Sequence, residues 1–188
     1  MAVLAALKLE LPQDVIHQIG VGCLLHDIGL RYQTIDFENQ DIFNLSEADL
    51  AEYKKHPVYG YSALKNEHWI SDLSKNIILY HHERLDGSGY PFHKQADHLG
   101  KEVRIVSLCD QFDSMVYGNM MPRSRVKDAM EYLMSQAGVK FDFSLVQLFM
   151  ESVAAYPIGI TVITNEGDTA VVVRQNYKFP TRPVIRLL

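Results

Sequence analysis

At 188 residues, the chain is long enough for one good hydrophobic core and a small appendage, but not for two full domains. Its 47% hydrophobic and 22% charged content is that of an ordinary globular protein, and a net charge of -5 argues against binding duplex nucleic acid or an anionic membrane. Two cysteines, Cys23 and Cys109, are too few for a cysteine-built zinc site and suit reduced thiols in a cytoplasmic setting. No apolar run approaches the length of a membrane span.

Helical patterns dominate as far as about Ala155. Residues 2–9 read as the end of a helix whose beginning is missing. Met1 to Leu7 lacks the basic start and cleavage site of a signal peptide. Pro12 opens the next helix, whose apolar positions include Val15, Ile16, Ile19 and Leu25 before Gly29 ends it. A loop over 31–45 precedes Ser46-Glu-Ala-Asp49, a capping box for a short helix reaching Lys54. Pro57 starts a helix to about Asn66, and residues 70–82 form another, ending in His81-His82. Residues 83–99, rich in Gly, Pro, Asp and Ser, predict a long ordered loop, a feature more often functional than incidental. Helices follow at 100–117, 124–137 and 144–155. The tail changes character: Gly159 to Thr164, a turn at Asn165–Asp168, then Thr169 to Arg174 make a β-hairpin, with Arg182 to Leu187 as a third strand. The plan is mainly α, a helical bundle over 1–155 with a β-appendage over 156–188.

The chemistry gathers in two adjacent pairs, His26-Asp27 and His81-His82, with His56 at a helix start and Asp110 in an apolar helix. A carboxylate at the edge of an apolar segment is costly unless paired or bound to metal. Helix ends from several elements of a bundle can converge on one point, and mixed His/Asp ligation suits iron, manganese or zinc. Two such ions would lower the pKa of a bridging water and clamp an in-line phosphoryl displacement. His17, His68, His93 and His98 read as ordinary surface or core residues.

These residues resemble a known family. HDIG at 26–29, His56-Pro57, the run HHExxDGSGYP at 81–91, Asp110 and Phe141-Asp142 look like the HD-GYP domain, a branch of the HD metal-dependent phosphohydrolases. The match runs over about residues 2–155. It implies an HD-type helical core, two or three divalent metals with iron or manganese foremost, and hydrolysis of cyclic di-GMP to pGpG or GMP by a metal-bridging hydroxide. It further implies that His26, Asp27, His56, His81, His82 and Asp110 are metal ligands, with Asp27 bridging and catalytic. Gly89, Tyr90 and Pro91 would form the loop beside the site, where they shape it or meet a partner. A GGDEF or receiver-type partner domain and a homodimer are the implied company.

Three departures from the family pattern stand against full activity. Leu30 occupies the place of a Lys after HDIG and offers neither charge nor proton. Val116 to Arg123 replaces an Arg-rich stretch that holds the dinucleotide, leaving Arg123 and Arg125 as substitutes. The His-Ser pair of a preceding helix is absent from residues 2–9. Together these motivate an alternative, a degenerate signalling module that binds metal, nucleotide and a partner with little or no turnover.

Overall fold

The computed structural model describes residues 1–34, 45–118, 121–176 and 179–188. Among these, eight α-helices precede three strands: α1 (Ala2–Lys8), α2 (Gln13–Leu25), α3 (Glu47–Tyr53), α4 (His56–Leu64), α5 (Asp72–Tyr80), α6 (Lys101–Tyr117), α7 (Val126–Ser135), α8 (Phe143–Ser152), β1 (Thr161–Ile163), β2 (Thr169–Arg174) and β3 (Val184–Leu187). The fold is the expected helical bundle with a three-stranded antiparallel sheet in the order β1-β2-β3. Most of the predicted loop at 31–45, and Asn119 and Met120 of the 116–123 stretch, lie outside the described residues.

Local chemistry explains the helix starts. Ser46 and Asp49 form the capping box of α3, and Ser71 accepts the Ser74 amide to start α5. Asp142 accepts from the Ser144 and Leu145 amides to start α8. Several helices are shorter than predicted. The element carrying HDIG stops at Leu25, so His26 and Asp27 lie in a turn before a 3-10 segment over Ile28–Tyr32, not in the last helical turn. Helix α5 likewise stops at Tyr80, placing His81 and His82 just beyond it. Both ends are fixed by the histidines themselves, as described below.

Helix α6 runs through the core. It buries Val103, Ile105, Val106, Leu108, Cys109 and Phe112, the last packed edge-on against Phe149 of α8. Helix α2 packs along α5, and α4 packs on the 3-10 segment. The second contact depends on Gly29, because any Cβ there would overlap the backbone carbonyl of His56. The sheet buries Ala170 and Val172, yet the helical core cluster contains no strand residue. Among the described residues, no helix is long and apolar enough to cross a membrane.

Candidate metal centre

Three of the histidines are held in the same way. An α-helix ends with carbonyls that have no amide partner. Here those carbonyls are taken by imidazole: His26 Nδ1 lies 2.7 Å from Cys23 O at the end of α2, and His56 Nδ1 lies 2.8 Å from Tyr53 O at the end of α3. His81 Nδ1 lies 3.0 Å from Ile78 O at the end of α5. A carbonyl only accepts, so each Nδ1 carries the hydrogen and each Nε2 points away from its helix.

The three Nε2 atoms converge on Asp27. His26 Nε2 is 3.3 Å from Oδ2, while His56 Nε2 and His81 Nε2 lie 3.2 and 3.6 Å from Oδ1. The His56 and His81 Nε2 atoms are themselves 3.3 Å apart. Asp27, His56, His81 and His82 all present ligand atoms within 4.8 Å of one another. Asp110 closes the other side, 3.3 Å from His82 Nδ1 and 3.7 Å from His26 Nε2. All six residues expected at the site therefore lie together.

The electrostatics of this cluster call for a cation. Burial opposes protonation of His26, but its hydrogen bond to Asp27 and the charges of Asp27 and Asp110 outweigh burial and raise its pKa to about 9. Burial also opposes charge on Asp27, yet the His26, His56 and His81 rings gathered around it hold its carboxyl well below the usual range. Burial lowers His81, and burial reinforced by the neighbouring His81 and His56 lowers His82 further. Burial pushes the Asp110 carboxyl up. A neutral His81 with its hydrogen on Nδ1 turns a lone pair toward a carboxylate oxygen. Asp27 Oδ1 and His82 Nε2 are both buried without a hydrogen-bond partner among the described residues. Buried lone pairs facing one another are unfavourable until a positive ion sits between them. The donor set thus fits a divalent metal.

The loop over 83–99 wraps this centre. Tyr90 stacks on His82, with ring centroids 4.5 Å apart and planes 28° from parallel. Gly89 is required because a Cβ would overlap the His82 carbonyl. Pro91 follows through a cis peptide bond. A cleft of about 180 Å³ opens beside the centre, lined by Tyr53, Lys54, His82, Arg84, Tyr90 and Asp110. A second opening of about 150 Å³ reaches His26 and Asp110 from the side of Met1, Cys23 and Cys109. Arg123 does not line either opening. It is exposed and donates to the Val116 carbonyl at 3.0 Å, while Arg125 pairs with Asp128.

Sequence reasoning missed four contributors. Glu83 and Arg84 lie inside the HHExxDGSGYP run, but their type alone reads as solvated charge. Glu83 is 1% exposed, and its oxygens accept the Phe92 and Lys94 amides. Arg84 donates to Ser107, Gln111 and two carbonyls and lies over Phe141. Tyr53 and Lys54 carried no signal beyond closing a short capped helix.

Comparison with known proteins agrees with this architecture. The HD domain family model matches residues 2–145, and the chain belongs to that family. Within it, the chain carries a domain of the HD-GYP branch. A cyclic di-GMP phosphodiesterase of Pseudomonas aeruginosa is 28% identical over 184 residues, 97% of this chain and 44% of that protein. The cyclic di-GMP phosphodiesterase response regulator RpfG of Xanthomonas campestris is 32% identical over 144 residues, covering 76% of this chain and 38% of RpfG. A solved HDG"Y"P protein of Bdellovibrio bacteriovorus superposes with a TM-score of 0.63 at 26% identity, covering 77% of this chain and 46% of that one. The chain thus spans less than half the length of each of these relatives.

Proposed function

We propose that this chain is a metal-dependent phosphodiesterase module that hydrolyses cyclic di-GMP to pGpG or GMP. The observation that carries the reading is the convergence of three carbonyl-pinned imidazoles on Asp27, whose buried Oδ1 has no hydrogen-bond partner among the described residues. Similarity to proteins named cyclic di-GMP phosphodiesterases supports the substrate. His26, Asp27, His56, His81, His82 and Asp110 would hold two or three ions, iron or manganese. When bound, the ions supply Lewis-acid charge for an in-line phosphoryl displacement.

The chain's own residues do the rest. The carbonyls of Cys23, Tyr53 and Ile78 fix the ring orientations and turn each Nε2 toward Asp27. Tyr90 covers the face of His82 and excludes water from it. Arg84 is occupied by its own hydrogen bonds and supports the wall of the cleft. The gathering of all six expected donors supports turnover over the low-turnover alternative. The relative named a response regulator supports a receiver-type partner domain, and two free thiols support a cytoplasmic setting.

The test is metal analysis and cyclic di-GMP hydrolysis after anaerobic loading with iron or manganese. The unaltered chain is expected to bind metal and open the cyclic dinucleotide, whereas Asp27→Ala loses both properties. Undiminished hydrolysis by Asp27→Ala would sink the assignment.

A further inference from the structure

Lys54 stands at the mouth of the cleft. It is the exposed C-cap of α3, one residue beyond Tyr53, whose carbonyl holds His56. The Tyr53 ring also packs against His56, with centroids 4.9 Å apart, so the backbone that carries Lys54 is fixed by the metal centre itself. Its ammonium lies 5.8 Å from the centroid of Tyr90, the same ring that stacks on His82. Lys54, Tyr90, His82 and Asp110 therefore share one cleft wall.

The other cations of this region are engaged. Arg84 donates all its recorded bonds inward, Lys55 pairs with Glu52, and Arg123 is turned to the Val116 carbonyl. Among the described residues, the Lys54 ammonium has only the Tyr90 ring as a recorded neighbour. An exposed ammonium with no carboxylate partner among the described residues, beside this cluster of histidines and carboxylates, is well placed to meet an anion. A cyclic dinucleotide carries two phosphodiesters, and only one of them is at the point of cleavage at a time.

We infer that Lys54 is a substrate-binding residue that neutralises the non-scissile phosphate, with the Tyr90 ring as the platform beside it. This inference rests on the phosphodiesterase reading above and adds a specificity determinant to it. Because Lys54 is exposed, its contribution is screened by salt. It acts in binding and leaves the chemical step alone, so its removal appears in KM and not in kcat.

The experiment compares the unaltered chain with Lys54→Glu and Lys54→Arg, all loaded with manganese. Readouts are metal content, cyclic di-GMP kinetics at low and high salt, and turnover of bis(p-nitrophenyl) phosphate, which has a single phosphodiester. Lys54→Glu is expected to raise the KM for cyclic di-GMP about tenfold at low salt, the loss of one charge-assisted contact. The increase shrinks at high salt, and Lys54→Arg restores most of the affinity. Metal content stays the same in all three, and the rise in KM for cyclic di-GMP exceeds any rise for bis(p-nitrophenyl) phosphate. An unchanged KM in Lys54→Glu, in a chain that does cleave cyclic di-GMP, overturns the role of Lys54 alone. Equal losses on both substrates overturn it too, since they place the effect at the metals. No cleavage of cyclic di-GMP by the unaltered chain overturns the substrate reading, and the role of Lys54 with it.

Discussion

Glu83 shows how much a single buried side chain can organise. Its carboxylate is shielded from solvent and has no ion pair among the described residues, yet Oε1 accepts the Phe92 amide at 2.7 Å and Oε2 the Lys94 amide at 3.0 Å. Those bonds hold the segment that follows Tyr90, and so help to hold the ring against His82. Glu83→Ala would leave two inward amides without acceptors, at about 1 to 3 kcal/mol each. We expect the urea midpoint of Glu83→Ala to fall accordingly, while Glu83→Gln, which keeps one acceptor oxygen, falls less. Equal midpoints for Glu83→Ala and the unaltered chain would remove this anchor from the account. The comparison also marks a limit of legibility. Adjacent His-Asp and His-His pairs announce themselves because few other roles explain them, whereas a buried Glu that accepts only backbone amides looks like any loop glutamate. Arg123 shows the same limit: its charge was legible in the sequence, but its bond to the Val116 carbonyl was not.

Elements were legible in kind and order, and less so in length. The predicted helix over 70–82 contains α5 but overshoots it, because His81 takes the Ile78 carbonyl and ends the helix at Tyr80. A ring bonding back three residues at a helix end is a local side-chain device that hydrophobic periodicity does not encode. The start of α8 was readable by contrast, since its capping residue follows the ordinary rule. Asp142 accepts from the Ser144 and Leu145 amides and the Ser144 hydroxyl, and it pairs with Arg104 at 3.2 Å. Burial works against its charge, but the Ser144 hydroxyl, the Leu145 amide and Arg104 prevail and hold the carboxyl below its ordinary 3.8. A depressed carboxylate stabilises the fold above its unfolded pKa and loses that contribution as pH falls through the folded value. Asp142→Ala should therefore cost about 1 to 2 kcal/mol at neutral pH, seen as a lower Tm by circular dichroism. The gap to the unaltered chain should close in acid, below the folded pKa of Asp142. A gap that persists unchanged into strong acid would mean that packing around Phe141 and Phe143, not the charge, sets the cost.

Across the whole molecule, the candidate centre joins elements that are distant along the chain. The end of α2 brings His26 and Asp27, the α3–α4 junction brings His56, the end of α5 brings His81 and His82, and α6 brings Asp110. Without a cation, these ends meet through lone pairs and a buried carboxylate, an arrangement the surrounding packing must hold together. Metal binding favours only the folded arrangement, because the unfolded chain offers no preformed site. An ion at 100 times its dissociation constant would add about 2.7 kcal/mol. Chelator-treated protein is therefore expected to melt at a lower temperature than manganese-loaded protein, and Asp27→Ala should lose the metal-dependent part of the shift. The helical signal should carry the change, since no strand residue belongs to the helical core cluster. A melting temperature indifferent to manganese, in protein that retains the ion after dialysis, would show that the ion binds the unfolded chain as well as the folded one, against a site assembled only by folding.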